Sequence, residues 1–202
     1  MTTNRKHWIP YPTVLQGTTI DLVPLEEHHL EELYQASGDK ELWKQVLSDC
    51  SDRDTFFTVY RMALEVRDNG MQYPFVIIDK QTKKLIGSTQ FFEMHEADKK
   101  LEIGWTWITC DYWGSVVNLE CKLLLLTYCF EVLKTNRVQL KTKDDNLRSR
   151  KAIEKIGGVF EGILRKDKIQ KDGTTRNAAY YSILNDEWES AKNNIHVLMS
   201  SK

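Results

Sequence analysis

The sequence predicts one α/β domain (α+β in schemes that separate the two) on a mixed, mostly antiparallel sheet flanked by helices. Three observations predict it. Residues 73–108 hold three short apolar runs parted by polar turns, the pattern of an antiparallel meander. Residues 117–133 are apolar over most of a helical circumference, which marks a buried helix. A strand pattern returns at 137–142, so a strand–helix–strand crossover joins the two halves.

Taken in order, residues 18–23 alternate and end at Pro24, a first strand. Residues 26–36 carry Leu30, Leu33 and Tyr34 at helical spacing behind an acidic start. Ser51 and Asp52 offer N-caps for a helix to about Arg67, stopped by Asp68-Asn69-Gly70. Strands follow at 73–78, 85–92 and 101–108. The last sets Leu101, Ile103, Trp105 and Trp107 on one face and Glu102, Gly104 and Thr106 on the other. A loop at 109–115 leads into the buried helix. After the strand at 137–142, a helix spans 149–156 and ends at Gly157-Gly158. Strands at 159–165 and 178–184 enclose a turn with Asp172-Gly173, a hairpin signal.

At 202 residues the chain suits one domain and buries about 70% of its unfolded surface without a metal or disulfide. Lys plus Arg number 28 and Asp plus Glu 29, so the net charge of -1 argues against a nucleic-acid or anionic-membrane coat. Cys50, Cys110, Cys121 and Cys129 form no C-x-x-C pair and read as reduced thiols. Adjacent His28 and His29 point about 100° apart on a helix and cannot chelate one ion, so no metal site is expected. The N-terminus lacks an apolar signal region, and the apolar stretch near 123–126 is too short to span a bilayer. A cytoplasmic protein is expected.

Two segments carry candidate chemistry. In the first, a loop with Trp113, Gly114 and Ser115 enters a helix N-terminus, whose unpaired amides suit an anion, although on the spacing alone an ordinary loop with a small-residue cap is the better reading. In the second, Asn146 and Ser149 open a short charged helix that ends in paired glycines, which alone reads as a capped surface helix.

Together the segments look like something specific. Asp111-Tyr112-Trp113-Gly114-Ser115 before a long helix, then Asn146-x-x-Ser149, then Ile153-Glu154-Lys155-Ile156-Gly157-Gly158, resemble the GNAT superfamily of acetyl-CoA-dependent N-acetyltransferases. Glu102-Ile103-Gly104-Trp105, Asn136-Arg137-Val138, Leu15-x-Gly17 and Leu22-x-Pro24-Leu25 are similar to its RimJ/RimL-like branch, which includes ribosomal-protein N-terminal acetyltransferases. The likeness runs from about residue 15 to Trp188. It implies an N-terminal arm over 1–14, a GNAT domain with a splayed sheet over 15–190 and a C-terminal tail over 191–202.

The resemblance places the cofactor, acetyl-CoA as co-substrate, against Trp107, Ile108, Trp113, Gly114, Ser115, Val116, Val117, Asn118, Asn146, Ser149 and Arg150. Gly114 matches the first glycine of the diphosphate loop. Asp111 stands where the family has Gln or Arg, and Val116 where it has Gly or Ala. Asn146 matches the asparagine that bonds the pantetheine arm. Ile153 replaces the usual tyrosine acid, which leaves the Ser149 hydroxyl to stabilise the departing thiolate. Arg148, Arg150 and Lys151 are basic residues near the outer phosphate, or simply a solvated helix face.

Acyl transfer to an amine needs a base, because a lysine or N-terminal ammonium has a pKa of about 10.4 or 8. Glu102, just before the cofactor loop, is the candidate, and a Glu that hydrogen-bonds neighbouring strands is the reading that stays open beside it; Glu93 and His95 are weaker candidates that read as solvated. The function expected is acetyl transfer to a primary amine, on a protein N-terminus or a small molecule, by direct attack. The alternative is a non-catalytic CoA-binding or regulatory domain, given the departures at Asp111, Val116 and Ile153. Homodimers are common in the family.

Overall fold

The computed structural model describes residues 7–43, 50–170 and 173–202. Residues 1–6 of the expected arm and Asp172 of the expected turn lie outside them. The chain orders β1 (Leu15–Gln16), β2 (Ile20–Pro24), α1 (Leu30–Ala36), α2 (Arg53–Asp68), β3 (Tyr73–Asp79), β4 (Leu85–His95) and β5 (Lys100–Ile108). Then follow α3 (Val117–Thr127), β6 (Arg137–Lys143), α4 (Leu147–Lys155), β7 (Val159–Ile169), β8 (Thr175–Leu184) and α5 (Trp188–Ser200). One eight-stranded sheet runs β1-β2-β3-β4-β5-β6-β8-β7. Its pairs are antiparallel except β5–β6, where the crossover through α3 brings two strands alongside in the same direction.

Two apolar clusters sandwich the sheet. On one face Leu101, Ile103, Val138, Leu140 and Tyr181 pack with Cys121, Leu125 and Cys129 from α3, Ile153 from α4, and Trp188, Ala191 and Ile195 from α5. On the other, Val76, Leu85 and Trp107 pack with Leu30 and Leu33 of α1 and Phe56 and Tyr60 of α2. Each buried Leu, Ile, Val or Phe among them contributes roughly 1.5–3 kcal/mol. Helix α2 starts where Asp52 accepts from the Thr55 amide at 2.8 Å, and it ends before Gly70 at φ 72°. Helix α3 runs on through a π turn at Tyr128–Val132.

Three expectations need correction. Trp105 does not share a face with Leu101 and Ile103: it has φ 52° and is 40% exposed. The β4–β5 register slips there, from Gln90↔Gly104 to Ser88↔Trp107, so two residues oppose the single Thr89. That bulge swaps the faces beyond it. Trp107 therefore joins the α1–α2 cluster, and Thr106 turns towards α3. Second, residues 191–202, expected as a C-terminal tail, lie mostly within a helix that packs on the core. Helix α5 spans Trp188–Ser200, and Glu131 accepts from Trp188 Nε1 at 3.0 Å and Lys192 Nζ at 2.7 Å. Third, α4 begins at Leu147 rather than Ser149, because Asn146 is its cap.

Candidate active site

Strands β5 and β6 pair over three residues only: Lys100↔Arg137, Leu101↔Val138 and Glu102↔Gln139. Beyond Glu102 they part, and a wedge opens between residues 103–108 of β5 and residues 140–143 of β6. The bulge at Trp105 bends β5 at this point. Gly87 makes the bend possible, since a Cβ there would lie 2.2 Å from the Trp107 carbonyl oxygen.

At the wide end stands the N-terminus of α3. Its approach loop is pinned on several sides. Tyr112 donates to Asp79 Oδ2 at 2.8 Å, Trp113 Nε1 to the Ile108 carbonyl at 2.9 Å, and Ser115 Oγ to the Tyr112 carbonyl at 2.6 Å. Ser115 Oγ also accepts from the Val117 amide at 3.2 Å. Val116 begins the helix without a side-chain cap, so first-turn amides of Val116 and Asn118 remain to meet an anion. Gly114 has φ 74° and open space where a Cβ would stand, so a ligand can approach its backbone closely. Asp111 is exposed in the preceding turn. These features fit a diphosphate.

Helix α4 forms the other wall. Asn146 Oδ1 caps it by accepting from the Ser149 amide at 3.1 Å, which leaves the Nδ2 donors for a ligand. Arg148 lays its guanidinium 4.1 Å from the Trp113 ring centroid, so the two walls meet at the mouth. Arg150, expected at the cofactor, is engaged elsewhere. It donates to Tyr181 Oη at 2.8 Å and the Asp144 carbonyl at 3.2 Å, and lies over Phe160. The Trp107 indole likewise points away, donating to Tyr60 Oη at 2.6 Å; only its backbone borders the wedge.

Glu102 sits at the apex of the wedge, 1% exposed, on the face away from α3. Its Oε2 accepts from Gln139 Nε2 at 2.7 Å and lies 3.2 Å from Lys141 Nζ. Burial raises its pKa above the ordinary carboxylate value; Lys141 and Gln139 oppose that rise, and Glu93 adds to it. Lys141 also stands 5.5 Å from the Phe92 ring and 5.6 Å from the Tyr180 ring. Tyr180 donates to Asp167 Oδ1 at 2.9 Å. Glu93 and His95 are exposed, 4.0 Å apart.

Sequence reading missed Gln139 and Lys141. Their signal was present: Arg137, Gln139, Lys141 and Lys143 alternate with Val138, Leu140 and Thr142, which gives the strand a polar face. It also passed over Lys122, a lone cation within the apolar helix, 8% exposed. Among the described residues no cluster of three or more metal-ligating side chains exists, and no helix is long and apolar enough to cross a membrane.

Comparison with known proteins agrees with this architecture. Residues 19–159 match the family model described as the acetyltransferase (GNAT) domain. YdaF of Bacillus subtilis (strain 168), whose name gives it provisionally as a ribosomal N-acetyltransferase, is 35% identical over 109 residues. That match covers 54% of this chain and 58% of the length of YdaF. A GCN5-related N-acetyltransferase from Brucella melitensis superposes with a TM-score of 0.83 at 25% identity, covering 94% of this chain and 86% of that one. RimJ of Mycobacterium smegmatis, solved in complex with CoA-disulfide, shares the fold at TM-score 0.79 and 18% identity over 93% and 95% of the two chains. With the family model covering most of the domain and the splayed strands beside the α3 N-terminus, the chain belongs to the GNAT acetyltransferase family.

Proposed function

We propose that the protein transfers an acetyl group from acetyl-CoA to a primary amine by direct attack. One observation carries the reading: the wedge between β5 and β6 has a buried carboxylate, Glu102, at its apex and the α3 N-terminus at its mouth. Acetyl-CoA supplies the thioester. Amides around Gly114 and Val116 hold its diphosphate, the Asn146 carboxamide bonds its pantetheine arm, and Arg148 meets its outer phosphate. A backbone amide near Trp107 and Ile108 stabilises the oxyanion. Glu102 takes the proton of the attacking amine, directly or through water, from the face opposite α3. The new C–N bond replaces the C–S bond, and the sulfur leaves with its electron pair.

The acceptor we favour is a protein N-terminus, a reading supported by the name of YdaF. A second copy of the chain is the partner we expect, on the edge strand β7, where Val159, Phe160, Ile163 and Leu164 are each about half exposed. Free thiols at Cys110, Cys121 and Cys129 suit a reducing, cytoplasmic setting.

A thiol-release assay with acetyl-CoA against N-terminal peptides, polyamines and amino acids tests the function. Release with peptides is the expected result. CoA binding without release on any amine would refute it in favour of a binding module.

A further inference from the structure

Lys122 is a buried ammonium for which the reaction above has no use. It is 8% exposed in the second turn of α3. Its Nζ donates at 2.7 Å to Thr106 Oγ1, which is itself 2.7 Å from Thr89 Oγ1. An ammonium has three donors, and no carboxylate pairs with this one among the described residues. The groups facing it are neutral: the hydroxyls of Thr89 and Thr106 on β4 and β5, and the Cys121 thiol on α3, which burial pushes up to about 11. No titratable group on β6, α4 or α5 bears on it among the described residues. Burial without a counter-ion lowers the pKa of Lys122, which makes it a readier acid than an exposed lysine.

Its direction is informative. Glu120, two residues earlier, accepts from the Thr18 and Thr19 amides in the β1–β2 turn. Two residues on a helix diverge by about 200°. Lys122 therefore faces the opposite flank, beneath the stretch of β5 that has left β6. On the same face of the sheet α4 offers Ile153, an apolar side chain 7% exposed, at the place where the family resemblance puts an acid; the Ser149 hydroxyl, which the resemblance sets beside the thiolate, can donate a hydrogen bond but carries no charge to offset it.

We infer that Lys122 is a catalytic residue whose ammonium meets the departing CoA thiolate and protonates it. The inference rests on reading the wedge as the acetyl-CoA site. As the amine nitrogen bonds the carbonyl carbon, the C–S bond breaks and its electron pair goes to sulfur. The sulfur takes a proton from Lys122 Nζ, Glu102 receives the proton lost by the amine, and solvent returns both groups to their starting states. A buried cation with no anion beside it finds one only when the thiolate forms, so the interaction is made late in the reaction, where it accelerates.

The test compares binding of CoA and desulfo-CoA, which lacks the sulfur, between pH 6.5 and 8.5. A cation within reach lowers a thiol pKa by about 1–3 units, so the wild type should prefer CoA by about 5-fold or more at the upper end, and less below. Lys122→Met keeps length and removes charge. It should bind the two ligands with a pH-independent ratio and lose about 10²-fold in kcat with little change in KM for acetyl-CoA. A pH-independent ratio in the wild type overturns the assignment whether or not the variant folds. Binding of neither ligand overturns both this assignment and the cofactor reading, whereas equal tight binding of both overturns this assignment alone.

Discussion

The Glu102 carboxylate lies 3.2 Å from the Lys141 ammonium at the last paired position before β5 and β6 diverge. The two groups come from strands that run parallel, and their positions on the polar face differ by one alternation: Glu102 pairs with Gln139, and Lys141 follows two residues later. Burial favours the neutral acid, and Lys141 and Gln139 favour the ionised base. The outcome is a carboxyl shifted upward from its ordinary value yet kept under the control of one lysine.

Glu102→Gln should lower kcat by about 10²–10⁴-fold while leaving the KM for acetyl-CoA near its wild-type value. The base works ionised, and its pKa is raised. Wild-type kcat/KM should therefore fall as pH drops, with its midpoint above the ordinary carboxylate range. Thiol release measured across pH checks both points. An unchanged acid limb in the variant would remove Glu102 as base.

Lys141→Met removes the cation that favours ionised Glu102. The carboxyl pKa then rises further, so the acid limb of kcat/KM should move to higher pH and activity should recover on the alkaline side. Stability has the same sign. An unpaired buried carboxylate costs about 3 kcal/mol while charged, and acidification relieves it by protonation. Urea midpoints of variant and wild type should converge as pH falls; a constant gap would mean that Lys141 acts by packing against Phe92 and Tyr180 alone.

Asn146 caps α4, and the proposed function gives it a second job at the pantetheine arm; two substitutions separate the two. Asn146→Ala loses the α4 cap, at a cost of about 1 kcal/mol, as well as the Nδ2 donors. Asn146→Asp keeps an oxygen to accept from the Ser149 amide but has no donor. Both should raise the KM for acetyl-CoA roughly 2–10-fold, the value of one hydrogen bond. Only Asn146→Ala should lower Tm. A normal KM in the Asp variant would confine Asn146 to capping.

Most of the fold was legible because its signals are local. Asp52 and Gly70 bound α2, the meander shows its turns, and the apolar run of α3 declares burial without reference to anything distant. What failed depended on partners far along the chain. Strict alternation put Trp105 in the core, but the bulge arises from two strands together, where Gly87 admits the Trp107 carbonyl. Trp188, Ala191 and Ile195 have helical spacing, yet α5 stands out only once α3 and Glu131 are seen to receive it. For the candidate site, the motifs pointed to the α3 loop and Asn146. They said nothing of Lys141, whose meaning depends on its register with Glu102, nor of Arg150, which Tyr181 draws away from the mouth.

Gly87→Ala tests the origin of the bulge. Its Cβ would meet the Trp107 carbonyl oxygen at 2.2 Å and Ile108 Cα at 3.1 Å, both backbone atoms that no rotamer change can clear. A loss of about 3 kcal/mol is expected, along with weaker acetyl-CoA binding, because β5 must shift at the wedge. Gly38→Ala is the control: its nearest neighbour would be the Gln35 carbonyl oxygen at 3.4 Å, and its effect should stay within about 1 kcal/mol. Similar urea midpoints for the two variants would refute the role given to Gly87.

Arg148 and Arg150 stand two residues apart on α4, and their contacts differ. Arg148 lies 4.1 Å from the Trp113 ring at the mouth, where a phosphate can reach it; Arg150 is spent on Tyr181 and the Asp144 carbonyl. A charge-assisted bond to the outer phosphate contributes about 1.5–3 kcal/mol, so Arg148→Ala should weaken acetyl-CoA binding by about 10-fold or more. Acetyl-dephospho-CoA lacks that phosphate, and its affinity should be unchanged by the same substitution. Added salt should shrink the difference between the two ligands in the wild type, since the contact is exposed and screened. Arg150→Ala should instead lower Tm by loosening α4 from β8 and affect both ligands alike. If Arg148→Ala weakened both ligands equally, its role would be to hold Trp113 and the loop in place, and the outer phosphate would have to be met elsewhere.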